Sequence, residues 1–259
     1  MTKFDVGTVI DYSWNFTKKH GLIMVGLLLL LLFVFYLLEI VFGWFISVSA
    51  FTTMLPSISV LYRNGVPLHL MFTSIITWIG AMFPLLLAYS LCMQICQTVM
   101  AVGYRNTALR LVNGKSEKID FSGFKLPVMT YVKVFFASML TSILVSIATI
   151  LCILPGIFVL VRLMFVNVAL IDDPELPFFD AYSKSWEMTK GHFWELLLLG
   201  VVTVLINIIG LLCCCVGVLA TIVMTEFALV TAFVLLSGKP VAAAPTAEIT
   251  EMPTETQES

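Results

Sequence analysis

Three ionisable residues lie inside long apolar stretches of this 259-residue chain and are the first candidates for chemistry: Arg162, Glu226 and Glu39. A charge held at membrane depth is costly, so one that is kept marks a substrate or proton path, or a pair that ties helices together. By helix rise, Arg162 sits about 9 Å in from one surface and Glu226 about 15 Å in from the same surface. A long arginine side chain spans that difference. The spacing allows an Arg162–Glu226 pair, with Glu39 as the competing acid, as an intramembrane polar site or as a lock between helices; the alternative is an Arg162 side chain that reaches back to outer headgroups. No other set of residues suits catalysis. His20, His69 and His192 are far apart, and Cys92 and Cys96 share a helix face without a histidine or acid in the same stretch. There is no metal-spaced cluster, no phosphate-binding loop and no nucleophile elbow. We therefore expect no catalytic residue, no cofactor and no metal, and hence no enzyme.

The elements that position these charges follow from composition. Apolar residues make up 60% of the chain and charged residues 12%, the latter about half the share of a soluble domain. Mean hydropathy is +1.03. A water-soluble fold of this length would expose apolar patches far beyond what a monomer tolerates. The composition predicts an all-α integral membrane protein with six spans at about 22–44, 72–100, 132–153, 157–171, 193–212 and 216–236, each near the roughly 20 residues a crossing requires. The stretch 22–44 is too long for the apolar part of a signal peptide. Leu154-Pro155-Gly156 divides what would otherwise be one overlong stretch, with proline ending one helix and glycine supplying the turn. The fourth span is then short, which a tilt elsewhere or local bilayer thinning accommodates. Pro84 is expected to kink the second span. All six cysteines are in apolar stretches, where they pack as small hydrophobes. The alternative is a bridge from Cys152 to one of Cys213, Cys214 and Cys215.

Lysine and arginine orient the spans. Lys3, Lys18, Lys19, Arg105, Arg110, Lys115, Lys118, Lys125, Lys133, Lys184, Lys190 and Lys239 all fall on one side, and Arg63 alone on the other. The positive-inside rule makes the first side cytoplasmic, so both termini are expected there. These basic residues suit anionic lipid headgroups and form no nucleic-acid face. From 239 to 259 the chain carries Lys239 against Glu248, Glu251, Glu255 and Glu258. It has no apolar periodicity, and we expect a disordered acidic tail.

An internal pattern recurs. Ser13-Trp14-Asn15-Phe16-Thr17-Lys18-Lys19-His20 precedes the first span, and Ser185-Trp186-Glu187-Met188-Thr189-Lys190-Gly191-His192 precedes the fifth. Each ends a segment with amphipathic spacing, at about 4–19 and 178–191, and the stretch 104–112 is a looser version. Val6, Ile10, Trp14 and Thr17 form the expected apolar stripe of the first. Phe178, Phe179, Tyr182, Trp186 and Thr189 form that of the last. The chain thus reads as three units, each an interfacial helix followed by a helical hairpin. Trp14, Lys18, Lys19, His20, Trp186, Lys190 and His192 are the expected headgroup contacts. A face of small residues on the third span, Ala137, Ser138, Thr141, Ser142, Ser146 and Thr149, suits close helix packing.

Three segments carry a family likeness: Leu154-Pro155-Gly156-Ile157-Phe158 through Arg162, then Ile171-Asp172-Asp173, then Ala181 through His192. The pattern resembles that of uncharacterised bacterial six-span inner-membrane proteins, similar to the membrane domain attached to some glycerophosphodiester phosphodiesterases. The likeness implies the six-span layout and a bacterial cytoplasmic membrane. It carries over no catalytic residue, since the soluble phosphodiesterase domain has no counterpart in this chain. The function expected is non-enzymatic: organising membrane lipids, anionic headgroups among them, or partner membrane proteins. The alternative is a transporter or flippase-like protein for a lipid or small amphipathic solute.

Overall fold

The computed structural model describes residues 5–63, 68–115, 121–212 and 215–242. Among them every regular element is helical: α1 (Val6–Arg63), α2 (Leu68–Val112), a 3-10 turn (Phe121–Phe124), α3 (Val128–Leu151), α4 (Ile153–Leu163), α5 (Val166–Asp172), α6 (Phe178–Thr189), α7 (Phe193–Leu212) and α8 (Cys215–Leu236). Six helical stretches are long and apolar enough to cross a membrane: Val6–Ser49, Ile75–Val112, Val128–Leu151, Ile153–Asp172, Phe193–Leu212 and Gly217–Leu236. Residues 243–259 of the expected tail, and Cys213 and Cys214, lie outside the described residues. Cys152 is an exposed free thiol.

Two expected interfacial helices are not separate elements. Of the stretch 4–19, the residues from Val6 on continue into the first span as part of α1, and 104–112 is the last part of α2. No proline falls between Val6 and Trp44 or between Leu85 and Val112, so nothing in either stretch ends the helix. Pro84 also sits within α2 without terminating it. Only α6 stands alone, after Pro177 and before Gly191, whose φ of 94° a side chain would resist.

The break between the third and fourth spans is at Cys152, which is extended (φ −171°, ψ 149°), and not at Leu154-Pro155-Gly156. Pro155 occupies the first turn of α4, where a backbone N–H has no intrahelical partner to lose. Gly156 serves close approach and not the turn: a Cβ there would lie 2.3 Å from Thr149 Oγ1 and 2.9 Å from Thr149 Cα. The fourth span therefore has full length, Ile153–Asp172, and bilayer thinning is not required. It is instead divided at Met164–Phe165, between α4 and α5.

The chain forms two compact units, residues 27–101 and residues 1–26 with 102–259. In the unit 27–101, the α1 and α2 segments present exposed apolar side chains, among them Phe33, Ile40, Trp44, Ile76, Phe83 and Ile95. Glu39 is exposed in this unit and has no ion-pair partner among the described residues.

The other unit has a well-filled core. It draws on Val9 and Phe16 of α1, Val102 to Val112 of α2, Val134 and Ala137 of α3, and Val223, Phe227, Val230 and Phe233 of α8. At its centre is α5, with Val166, Val168, Ala169, Leu170 and Ile171 all buried. Rings pair across this core, Phe16 with Phe227 at 5.8 Å and Phe165 with Phe233 at 5.9 Å. Outward, α3 exposes Val132, Phe136, Met139, Ile143, Ile147 and Ile150, and α7 exposes Leu198, Val201, Leu205, Ile208 and Leu212. Both are three- and four-residue stripes, the pattern of a helix with one apolar face turned to lipid.

Candidate functional site

The site is built on α6, and its position comes from small polar residues. Ala181, Ser185 and Thr189 are its buried face. Of the stripe expected there, Phe179 and Trp186 are exposed, Phe178 and Tyr182 pack part-buried against the core, and Thr189 is buried. The same holds in α1, where Val6, Val9, Ser13 and Phe16 are buried, and Trp14 is 49% exposed against 44% for Trp186. Small side chains let helix backbones approach closely, which large rings cannot do. The two matched sequence segments thus bury their serines and expose their tryptophans alike. Ser13 and Ser185 are both fully buried. Thr17 Oγ1 donates to Ser13 O at 2.7 Å, and Thr189 Oγ1 donates to Ser185 O at 2.9 Å.

Three further contacts fix α6. The interruption of the fourth span leaves the Arg162 carbonyl without an intrahelical donor, and Ser185 Oγ donates to it at 2.8 Å. Tyr182 Oη donates to Ala137 O at 2.9 Å and lies 3.2 Å from Thr141 Oγ1. Burial pushes the Tyr182 phenol above its ordinary range, with the Thr141 hydrogen bond opposing, so it remains a protonated donor. Lys133 Nζ donates to Pro174 O at 2.8 Å and Leu176 O at 3.0 Å, holding the loop that leads into α6. The small-residue face of α3 does the close packing its composition suggests: Thr141 meets Tyr182, Thr149 meets Gly156, and Ser138 Oγ accepts from Asn167 Nδ2 at 3.1 Å.

Arg162 and Glu226 do not pair, which corrects the expectation from their depths. The Arg162 guanidinium lies between two rings, 5.1 Å from the Phe158 centroid and 5.1 Å from that of Trp186. Its Nη1 donates to Trp186 O and Thr189 Oγ1, each at 3.3 Å. Cation–π contacts of this kind strengthen as water is excluded. Glu226 instead accepts from Arg105, with Nε to Oε2 at 3.0 Å and Nη2 to Oε1 at 3.3 Å. The two side chains are 26% and 23% exposed. Arg105 falls in the stretch 104–112 expected as an interfacial helix. The signal that α2 continues through it was the run Val102 to Val112, which contains no proline.

Beside α6 lies an open groove of about 600 Å³. Leu144, Val159 and Leu163 supply apolar walls from α3 and α4, and Tyr182, Ser183, Trp186, Glu187 and Lys190 line it from α6 and its end. Glu187, Trp186 and Lys190 are exposed at this edge. The groove offers an apolar trough with a charged rim, and it holds no nucleophile–base pair.

The remaining expected contacts are dispersed. Lys18 and Lys19 are exposed on α1, and Lys18 Nζ stands 5.2 Å above the Trp14 ring. His20 is half-buried. His192 Nδ1 lies 2.5 Å from Glu195 Oε2 in the first turn of α7. Asp172, whose side chain is 1% exposed, pairs with Lys239 just beyond α8. Among the described residues no group of three or more histidine, cysteine, aspartate or glutamate side chains is placed to hold a metal. The chain matches no protein-family model, no curated protein and no solved structure.

Proposed function

We propose that this is a non-enzymatic multi-pass protein of a bacterial cytoplasmic membrane, and that it holds a membrane lipid in the groove beside α6. In this reading both termini are cytoplasmic, where the basic residues concentrate. Lys18 and Lys19 meet anionic headgroups, and the likeness to the membrane domain of glycerophosphodiester phosphodiesterases belongs to the same proposal. The observation that carries it is the groove itself. Apolar walls at Leu144, Val159 and Leu163 lead to a rim at Glu187 and Lys190, and pockets of about 300–1,000 Å³ with few polar groups are typical ligand sites. A lipid held there would organise its surroundings or a partner membrane protein.

Native mass spectrometry of the full chain, extracted in membrane patches and released into mild detergent, tests this. The wild type is expected to retain one lipid. Val159→Trp, which fills the trough, is expected to reduce that retention about tenfold, the loss that follows from roughly 1.4 kcal/mol of contact. Equal retention by both would reject the groove as the site.

One observation favours a second reading, a transporter or flippase-like protein. The fourth span is interrupted at Met164–Phe165 beside Arg162, and transporter sites are often formed by interrupted helices. Lipid movement across proteoliposomes that depends on Arg162 would favour it.

A further inference from the structure

The rim of the groove carries two charges of opposite sign that do not neutralise one another. Glu187 and Lys190 both line the groove, both are exposed, and neither takes part in an ion pair among the described residues. Glu187 lies in the last turn of α6, and Lys190 is the extended residue that follows the helix. Two such charges leave a negative and a positive position open at one mouth, above an apolar trough.

We infer that the groove selects a zwitterionic glycerophospholipid whose headgroup carries a primary ammonium beside its phosphate, a phosphoethanolamine lipid. The inference rests on the lipid-groove reading and names the lipid. The phosphate takes Lys190 and the Ser183 hydroxyl, and the ammonium takes Glu187. The C-terminal end of α6 lies at the same edge, and the partial negative charge of a helix C-terminus favours a cation there. A purely anionic headgroup would satisfy Lys190 and set its remaining charge against Glu187. A quaternary choline headgroup has no N–H to donate to the Glu187 carboxylate.

The test uses the full-length chain, delipidated in detergent and offered an equimolar mixture of palmitoyl-oleoyl phosphatidylethanolamine, phosphatidylglycerol and phosphatidylcholine. Native mass spectrometry reads the adducts. The wild type is expected to favour phosphatidylethanolamine about three- to fivefold over each of the others, the factor a part-exposed charge contact supplies. Glu187→Gln, at an exposed position, is expected to bring phosphatidylethanolamine down to the phosphatidylglycerol level. A wild type that prefers phosphatidylglycerol or phosphatidylcholine, or takes all three equally, would overturn the headgroup assignment and leave the groove standing. An unchanged preference in Glu187→Gln would do the same. A wild type that binds none of the three would remove the groove reading along with it.

Discussion

Replacing Glu226 with leucine is expected to lower the free energy of unfolding by about 3 kcal/mol, the scale of breaking one side of a buried ion pair. The loss comes chiefly from what is left behind. Arg105 would keep its charge in a part-buried setting, with Nε and Nη2 deprived of the acceptors now at 3.0 and 3.3 Å. Arg105→Leu should cost a similar amount for the mirror-image reason. The double replacement by leucine at both positions should cost less than either single change, because it leaves no orphan charge. Reversible unfolding in mixed dodecylmaltoside and dodecyl sulfate micelles supplies all four corners of the cycle. Single changes that cost only the roughly 0.5 kcal/mol of an exposed surface pair would show that this pairing does not hold α2 to α8.

Phe165→Ala is expected to be at least as damaging, at about 3–4 kcal/mol, the range for truncating a buried aromatic ring. Phe165 is fully buried at the junction of α4 and α5, and its ring lies 5.9 Å from that of Phe233 on α8. Truncation would open a void where the fourth span is interrupted and has fewer backbone hydrogen bonds to resist it. Phe179→Ala is the control. That ring is 75% exposed, and its loss should change stability by less than about 0.5 kcal/mol. The same micelle titration distinguishes the two, and equal losses would show that α5 is not the centre of the core.

The number of spans was legible because it depends on little more than counting apolar residues over about 20 positions. The two longest helices were less so. A window over charge separates 4–19 and 104–112 from their spans, but backbone continuity depends on breakers, and neither stretch holds a proline. Periodicity correctly identified α6 as a helix, and of its apolar stripe Thr189 is buried, Phe178 and Tyr182 are part-buried against the core, and Trp186 is exposed. Hydropathy ranks Trp186 above Ser185, yet a close helix contact admits the serine and excludes the ring. The pairing of Arg162 with Glu226 failed for a related reason. Depth along a helix fixes level and not azimuth, and Arg162 turns toward Phe158 and Trp186. The groove was not legible at all, since its walls come from α3 and α4 and its rim from α6. The resemblance of the segments around Ser13 and Ser185 was legible, and the shared burial of those serines gives it a physical content.

The central claim is that an acyl chain occupies the trough between α6 and the α3–α4 hairpin. It is tested most directly by photo-crosslinking the protein in vesicles with a phospholipid carrying a diazirine midway along one chain, followed by peptide mapping. Saturable labelling of the peptides that contain Leu144, Val159 and Leu163, competed away by unlabelled lipid, is the expected result. Labelling confined to the outward stripes of α3 and α7, such as Phe136, Ile143 and Leu205, with no competition by unlabelled lipid, would contradict it.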